Sequence, residues 1–508
     1  MSPFSPRVSF RRAALGAVLW LLAMYLACPA YAAPNGATYY VATDGADTNP
    51  GTLASPWRTL QHAADSLAPG DTVYARGGVY HERVRITKSG TSADGFITFA
   101  AYPGETPVMD GAGFKVKKGW DPLVRLRDAS YIKFEGFEIR NFKTRRINRI
   151  PIGILVWGAG GYVEIRNNRI HDIKTNYQGM DGGDAHGIAV YGTRAPQSIN
   201  NLIIDGNELY ALKLGSSEAL VVNGNVEQFQ ITHNVVHDNN NIGIDAIGFE
   251  GVAPDAAYDQ ARDGVIADNV VYNIDSSKNP AYAGERSADC LYVDGGTRIV
   301  VERNLAHHCN IGVELASEHP GRATSYITLR NNFIYRNSEG GIFIGGYDRQ
   351  RGRTEYCSIV NNTLFDNDTR AQGNGELYLQ FDTRYNVIRN NIFYAGAQNL
   401  FIGSWSKKMT GNVVNNNLYF TNGAGEWQWK NRYYASFAAY QAATGNDANS
   451  FNSVDPLFQS LVTPDLHLQN NSPAIDAGAN LSEAGATDID GQPRVQGGGI
   501  EIGADEVK

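Results

Sequence analysis

A nine-fold repeat of Asn, any residue, then an apolar residue runs through the middle of this chain and narrows what it can fold into. It reads Asn168-Arg169-Ile170, Asn207-Glu208-Leu209, Asn234-Val235-Val236, Asn269-Val270-Val271 and Asn304-Leu305-Ala306. It continues as Asn332-Phe333-Ile334, Asn362-Thr363-Leu364, Asn391-Ile392-Phe393 and Asn416-Asn417-Leu418. Successive copies lie roughly 25 to 40 residues apart, the period of a solenoid whose units bury their apolar faces against one another. The unequal intervals predict insertions at one corner of each coil. Asn tolerates the left-handed backbone of a sharp bend. Stacked asparagines can also hydrogen-bond along a ladder at a buried corner. Apolar residues at alternate positions are expected to point inward and stack from coil to coil. An Asn-rich loop protein would not hold its apolar residue in phase, so an all-β parallel solenoid is expected.

An open solenoid exposes core and strand edges at both ends, which calls for caps. Tyr39-Tyr40-Val41 reads as a strand, and Asp44 to Thr52 is turn-rich. Trp57, Leu60, Ala63, Ala64 and Leu67 recur at helical spacing, predicting an amphipathic helix from Trp57 to Leu67 over the first coil. The run from Tyr39 through Ser55-Pro56-Trp57, Gly70-Asp71-Thr72, Gly77-Gly78-Val79-Tyr80 and Ile97-Thr98-Phe99 to Ala101-Tyr102-Pro103-Gly104 resembles the first coils of secreted bacterial β-helix proteins. Family 9 pectate lyases and several β-helix glycoside hydrolases belong to that group. Asp455-Pro456-Leu457-Phe458, Ser472 to Gly478, Asp490-Gly491 and Glu501 to Glu506 are similar to a terminal module of the same proteins. The resemblance implies a right-handed, single-stranded parallel β-helix with an N-terminal helical cap and a small C-terminal module. The expected divisions are a signal peptide over 1–32, cap and first coils over 33–110, β-helix over 111–425 and C-terminal module over 426–508.

The first residues predict export. Arg7, Arg11 and Arg12 precede an apolar run from Ala13 to Ala27, and Ala30-Tyr31-Ala32 offers a small-x-small cleavage site. That run is too short to span a membrane and no second one follows, so a secreted or periplasmic monomer is expected. The formal net charge of −8 and the lack of any Lys/Arg-rich block argue against nucleic acid as a partner. Cys290, Cys309 and Cys357 follow the signal segment. Their odd number and irregular spacing predict no disulfide framework, with Cys357 on an inward position.

Aligning the strand after each turn separates inward from outward residues. The segments are Gly187–Tyr191, Ala219–Asn223, Gly243–Ile247, Cys290–Asp294, Gly312–Ala316, Gly341–Gly345 and Glu376–Gln380. Their second and fourth members are aliphatic, so the third and fifth face outward. The third column reads Ala189, Val221, Asp245, Tyr292, Glu314, Phe343, Tyr378. Like charges stacked on adjacent rungs repel unless a role compensates them, which singles out Asp245, Tyr292, Asp294 and Glu314 as catalytic candidates. A solvated sheet face explains any one of these acids, but not the stack. His186, Tyr191, Glu218, Asn223, Glu250, Asp289, His319, Phe343, Asp348 and Arg349 border the same face and are expected to contact substrate. The expected partner is a polysaccharide or oligosaccharide.

Two reaction classes fit. Glycoside hydrolysis needs one protonated and one ionised carboxyl, which Asp245, Asp294 and Glu314 can supply. Elimination on a uronate polymer needs a cation over the uronate carboxylate and a base, for which Tyr292 is placed. Around Asn241-Ile242-Gly243-Ile244-Asp245 the chain is similar to the calcium-ligand run of family 9 pectate lyases. Asn241 and Ile242 replace aspartates there, and His186 replaces one in Asp181 to Gly187. The resemblance implies calcium as a cofactor, with Asp181, Asp184 and Asp245 as its ligands. Acids outnumber bases on the face, which favours hydrolysis because such a groove repels a polyuronate. A non-catalytic glycan-binding β-helix is the third reading.

Overall fold

The computed structural model describes residues 36–180 and 182–507. The signal segment 1–32 and Asp181 lie outside the described residues. Three long sheets of thirteen strands each run the length of the described chain. The first sheet begins with Thr38–Val41, the second with Val84–Ile86 and the third with Gly78–Tyr80, and successive coils add one parallel strand to each. In the later coils a four-stranded sheet starting at Ala323–Ser325 adds a fourth strand per coil, and the second sheet ends in one antiparallel pairing, Glu426–Trp429 with Arg432–Tyr434. The chain therefore winds as a β-helix, and the inward residues of the three sheets form one continuous aliphatic and aromatic core.

The asparagine repeat builds the corner between the first and third sheets. Nδ2 of Asn168 donates to Oδ1 of Asn207 at 3.0 Å, and the same bond repeats through Asn234, Asn269, Asn304, Asn332, Asn362 and Asn391 to Asn417. Each backbone N–H donates to the same oxygen, as Asn207 N does to Asn234 Oδ1 at 2.9 Å. The second amide hydrogen reaches a first-sheet carbonyl, as from Asn304 to Ile266 O. The ladder thus satisfies donors and acceptors that burial would otherwise strand. Two details differ from the sequence reading. The left-handed residue is not the ladder asparagine but the one before it: Asn167, Gly206, His233, Asp268, Arg303, Asn331, Asn361, Asn390 and Asn416 all have positive φ. The ninth rung is accordingly Asn417, with Asn416 making the bend.

The amino-terminal helix is shorter than the apolar spacing predicts, Leu60–Ser66. Thr59 caps it by accepting from His62 N, so the helix cannot begin earlier. Trp57 instead donates its backbone N–H to Tyr40 O and stacks its ring on Tyr39. The cysteine expectation is overturned: Cys290 and Cys309 form a disulfide between residues of successive coils whose Cα atoms lie 5.7 Å apart. Counting cysteines treats them as one set, whereas the winding brings two together and leaves Cys357 alone in the core. At the other end, Phe458, Leu466, Leu468, Ile502 and Ala504 pack on the outward side chains Phe333, Phe365, Ile392, Tyr394 and Leu418 of the third sheet.

Candidate active site on the second sheet

The third column predicted from sequence is a physical column. Cα partners run Ala189 to Val221, Val221 to Asp245, Asp245 to Tyr292, Tyr292 to Glu314, Glu314 to Phe343 and Phe343 to Tyr378. Rungs repeat at about 4.8 Å, so Asp245 and Glu314 flank Tyr292 at about 10 Å from one another. The alternation that sends Leu291 and Val293 into the core forces Tyr292 and Asp294 outward.

These outward groups are nevertheless buried. Asp245, Asp289, Tyr292, Asp294 and Glu314 are each at most 7% exposed, because insertions between strands wall the face. Tyr282, Glu285 and Arg286, from the insertion spanning 279–286, close one side of a cavity of about 390 Å³. Asp289, Tyr292, Glu314, Glu318, Phe343 and Gln380 form its floor, with Tyr347 and Asn374 beside them. The other insertion, 254–262, does not line this cavity. It is held by Asp259, whose carboxylate accepts from Gly251 N and Ala253 N.

Crowding of acids sets the electrostatics. Asp289 and Glu314 are buried acids that line the same cavity, and each perturbs the other. Burial, followed by the neighbouring Glu318, pushes Glu314 up to about 8. Burial also raises Asp289, with Glu314 and Glu318 adding to it. Asp245 is raised by burial and by Glu218, Asp294 and Asp289. Asp294 is raised by burial and Glu318, though its Oδ1 accepts from Glu318 N at 2.8 Å. The Tyr292 phenol is held well above its usual range by burial and the acids around it. Buried without an ordinary protein donor are Asp245 Oδ1, Asp289 Oδ1 and Glu314 Oε1. Asp289 and Glu314 line the cavity, and acceptors left open there mark a site that a ligand completes, whereas Asp245 and Asp294 are buried beside it without lining it.

The remaining candidates separate. His186 is fixed by Glu218 O on Nδ1 and by stacking on Trp120, and burial lowers it to about 4, so it is a neutral wall group. Tyr191 belongs to the same apolar patch with Trp120 and Trp157. Asn223 donates to Glu250 Oε2 at 2.7 Å, one rung from Asp245. Glu218 lies near enough to raise Asp245. Asp348, His319 and Arg349 do not line the cavity, and Arg349 is exposed. Arg351 is instead the cation that opposes the upward shift of Glu318. Gln380, Tyr282 and Tyr347 were not among the sequence candidates. Gln380 is a fifth-column residue that strict alternation would have exposed, whereas Tyr282 comes from an insertion with no periodic signal.

Of the calcium ligands implied by resemblance, Asp184 and Asp245 are among the described residues. Asp184 is half-buried, with a side-chain bond to Ser217, and Asp181 lies outside the described residues. Among the described residues, neither Asp184 nor Asp245 belongs to a group of three acid, His or Cys side chains with ligand atoms within 4.8 Å of one another.

Comparison with known proteins places the chain. A Pel9A-like right-handed β-helix region matches residues 39–207, and the right-handed β-helix region family matches 152–346 and 256–438. An uncharacterized Bacillus subtilis (strain 168) protein, YwoF, is 41% identical over 442 residues, covering 87% of this chain and 92% of that protein. Pectate lyase PEL9 of Emericella nidulans is 28% identical over 225 residues, which cover 41% of this chain and 50% of the lyase. In three dimensions, XylC in complex with xylose aligns over 92% of this chain and 98% of its own, at 13% identity and a TM-score of 0.50. By the family match that runs through most of the coils, and by the Bacillus relative, this chain belongs to the right-handed β-helix family.

Proposed function

We propose that this chain is an exported, polysaccharide-cleaving enzyme that hydrolyses a glycosidic bond with the carboxyl groups of its second sheet. The observation that carries the reading is the pair of buried acids, Asp289 and Glu314, that line one cavity with open carboxyl oxygens. A hydrolase needs a carboxyl that still holds its proton near neutral pH and a second that has lost it. Glu314 donates to the glycosidic oxygen as the bond to the anomeric carbon breaks. The water that attacks that carbon gives its proton to a second carboxyl of the same face that has lost its own. Asp294, pinned by Glu318 N, stabilises positive charge developing on the sugar ring. Phe343, Tyr347 and Tyr282 give the cavity ring surfaces for sugar faces. The Cys290–Cys309 disulfide fits an oxidising compartment and so supports export.

Elimination on a uronate is the second reading, favoured by the lyase relative. Against it stands the Tyr292 phenol, which burial keeps protonated and unavailable as a base. A panel of neutral, amino-sugar and uronate polymers separates the two, with reducing ends and the ultraviolet absorbance of unsaturated uronate followed together. Hydrolysis yields reducing ends without the absorbance, and Glu314→Gln lowers kcat by about 10²- to 10⁴-fold. Absorbing product would hand the site to elimination, and no product on any polymer would end the enzyme reading.

A further inference from the structure

Far from the second-sheet cavity, the C-terminal module gathers His467, Asp490 and Asp505, whose ligand atoms all lie within 4.8 Å of one another. They come from three separate pieces of chain: the hairpin strand Asp465–Leu468, a turn near Asp488, and the final segment. From this geometry we propose that His467 Nε2, Asp490 and Asp505 bind one divalent transition metal ion of the zinc class, clamping the module together.

Four observations support the site. First, His467 Nε2 lies 3.2 Å from Asp490 Oδ2, yet the two do not align as a hydrogen bond and Nε2 is a buried nitrogen without a hydrogen-bond partner. Two ligands on a tetrahedral zinc, with bonds of about 2.0–2.2 Å, stand about 3.3–3.4 Å apart and both point at the ion instead of at each other. Second, the other ring nitrogen, Nδ1, donates to Asp465 Oδ1. A carboxylate on the far side of a histidine is the usual means of fixing the tautomer that leaves Nε2 free for a metal. Third, Asp505 is only 5% exposed and is oriented by Leu468 N, which donates to its Oδ2 at 2.7 Å. Fourth, Phe333 packs edge-on against the imidazole and holds the ring in place. The imidazole selects a borderline metal over calcium or magnesium, which prefer all-oxygen shells.

The module also gains from a clamp. From residue 454 onward its regular structure among the described residues is one short two-stranded pairing, Phe458–Ser460 with Asp465–Leu468, and the 3-10 turn Ser482–Ala484. A unit so poor in strand hydrogen bonds is of the size and kind that metals commonly staple. The bland alternative is an imidazolium held between Asp465 and Asp490 as a surface ion pair.

The test uses the full mature chain, stripped with a chelator and titrated calorimetrically with Zn²⁺, with the melting temperature measured alongside. The expected result is one Zn²⁺ per chain, a raised melting temperature and no response to Ca²⁺. Asp490→Asn, at an exposed position, and Asp505→Asn should abolish tight binding. Asp465→Asn should weaken it about 10- to 100-fold. Asp245→Asn, on the second sheet, should leave it unchanged. Failure of the stripped native chain to bind Zn²⁺ overturns the site, as does undiminished binding by Asp490→Asn or loss of binding only in Asp245→Asn. A fall in melting temperature for Asp490→Asn without any Zn²⁺ binding assigns the cluster to the ion pair and also overturns it.

Discussion

Glu314 carries the sharpest consequence at the scale of single residues. Its carboxyl is buried and pushed up to about 8 from an ordinary 4.5. The folded state thus holds this proton more tightly than the unfolded chain does. Its contribution to stability is fully present below about 4.5 and is lost as the pH rises through about 8. Asp245, Asp289 and Asp294 shift in the same direction, so the groove as a whole loses stability toward alkaline pH. Urea midpoints should therefore fall across that interval, and Glu314→Gln should flatten the slope. An unchanged slope in the variant would mean that Glu314 is ionised in the folded protein and is no acid catalyst. Activity should decline over the same range as the acid loses its proton. This face was legible in sequence because strand alternation is rigid: knowing that Leu291 and Val293 point inward fixes Tyr292 and Asp294 outward. What alternation could not supply was burial, since Tyr282 and Arg286 arrive from an insertion.

At the scale of the element, the asparagine ladder shows how a short motif specifies a long fold. Each rung satisfies the one before it, so the cost of removing one falls on its neighbours. Asn304→Ala would leave the Asn269 backbone and side-chain N–H groups without their acceptor and the Ile266 carbonyl without this donor, while the Asn332 oxygen keeps only the backbone N–H of residue 304. A stranded buried group costs about 1–3 kcal/mol, so the variant should lose at least that much in a urea melt. Asn367→Ala, at a second buried asparagine corner, offers a comparison, because Glu376 and Asn337 would be left in the same way. A loss below about 0.5 kcal/mol at Asn304 would show that water replaces the rung. The ladder was legible because the apolar residue stays in phase with the Asn. The bend was not, because the left-handed position holds Asn, Gly, His, Asp and Arg in different coils. Composition at one site cannot reveal a backbone conformation that the buried ladder beside it imposes. The Cys290–Cys309 bridge escaped for a related reason: contacts between coils depend on insertion lengths, which Cys spacing does not reveal.

At the scale of the whole molecule, a solenoid transmits stability only through nearest neighbours. The third sheet shows this in its outer side chains. In the earlier coils His171, Tyr210, His237, Tyr272, His307 and Tyr335 stack ring on ring, partly open to water. In the later coils the same column turns to Phe365, Tyr394 and Phe420, which the C-terminal module packs against. The module is joined to the coils by more than apolar contact. Asn361 and Asn390 donate to Glu501 O and Ala479 O, and Gly503 N donates to Asn390 O. Ending the chain after Ser453 should therefore uncover an apolar strip on these coils and strand several amides at once. Amide hydrogen exchange should accelerate from about Phe333 onward, while the strands near Val73, Phe99 and Phe134 keep their protection, because no contact carries the loss that far. The second-sheet cavity takes Phe343, Asn374 and Gln380 from the affected coils, so activity should fall with the exchange of Gly340–Ile344 and not with that of the amino-terminal coils. Uniform acceleration along the chain would instead mean that the helix unfolds as one cooperative block, and that the module stabilises every coil it never touches.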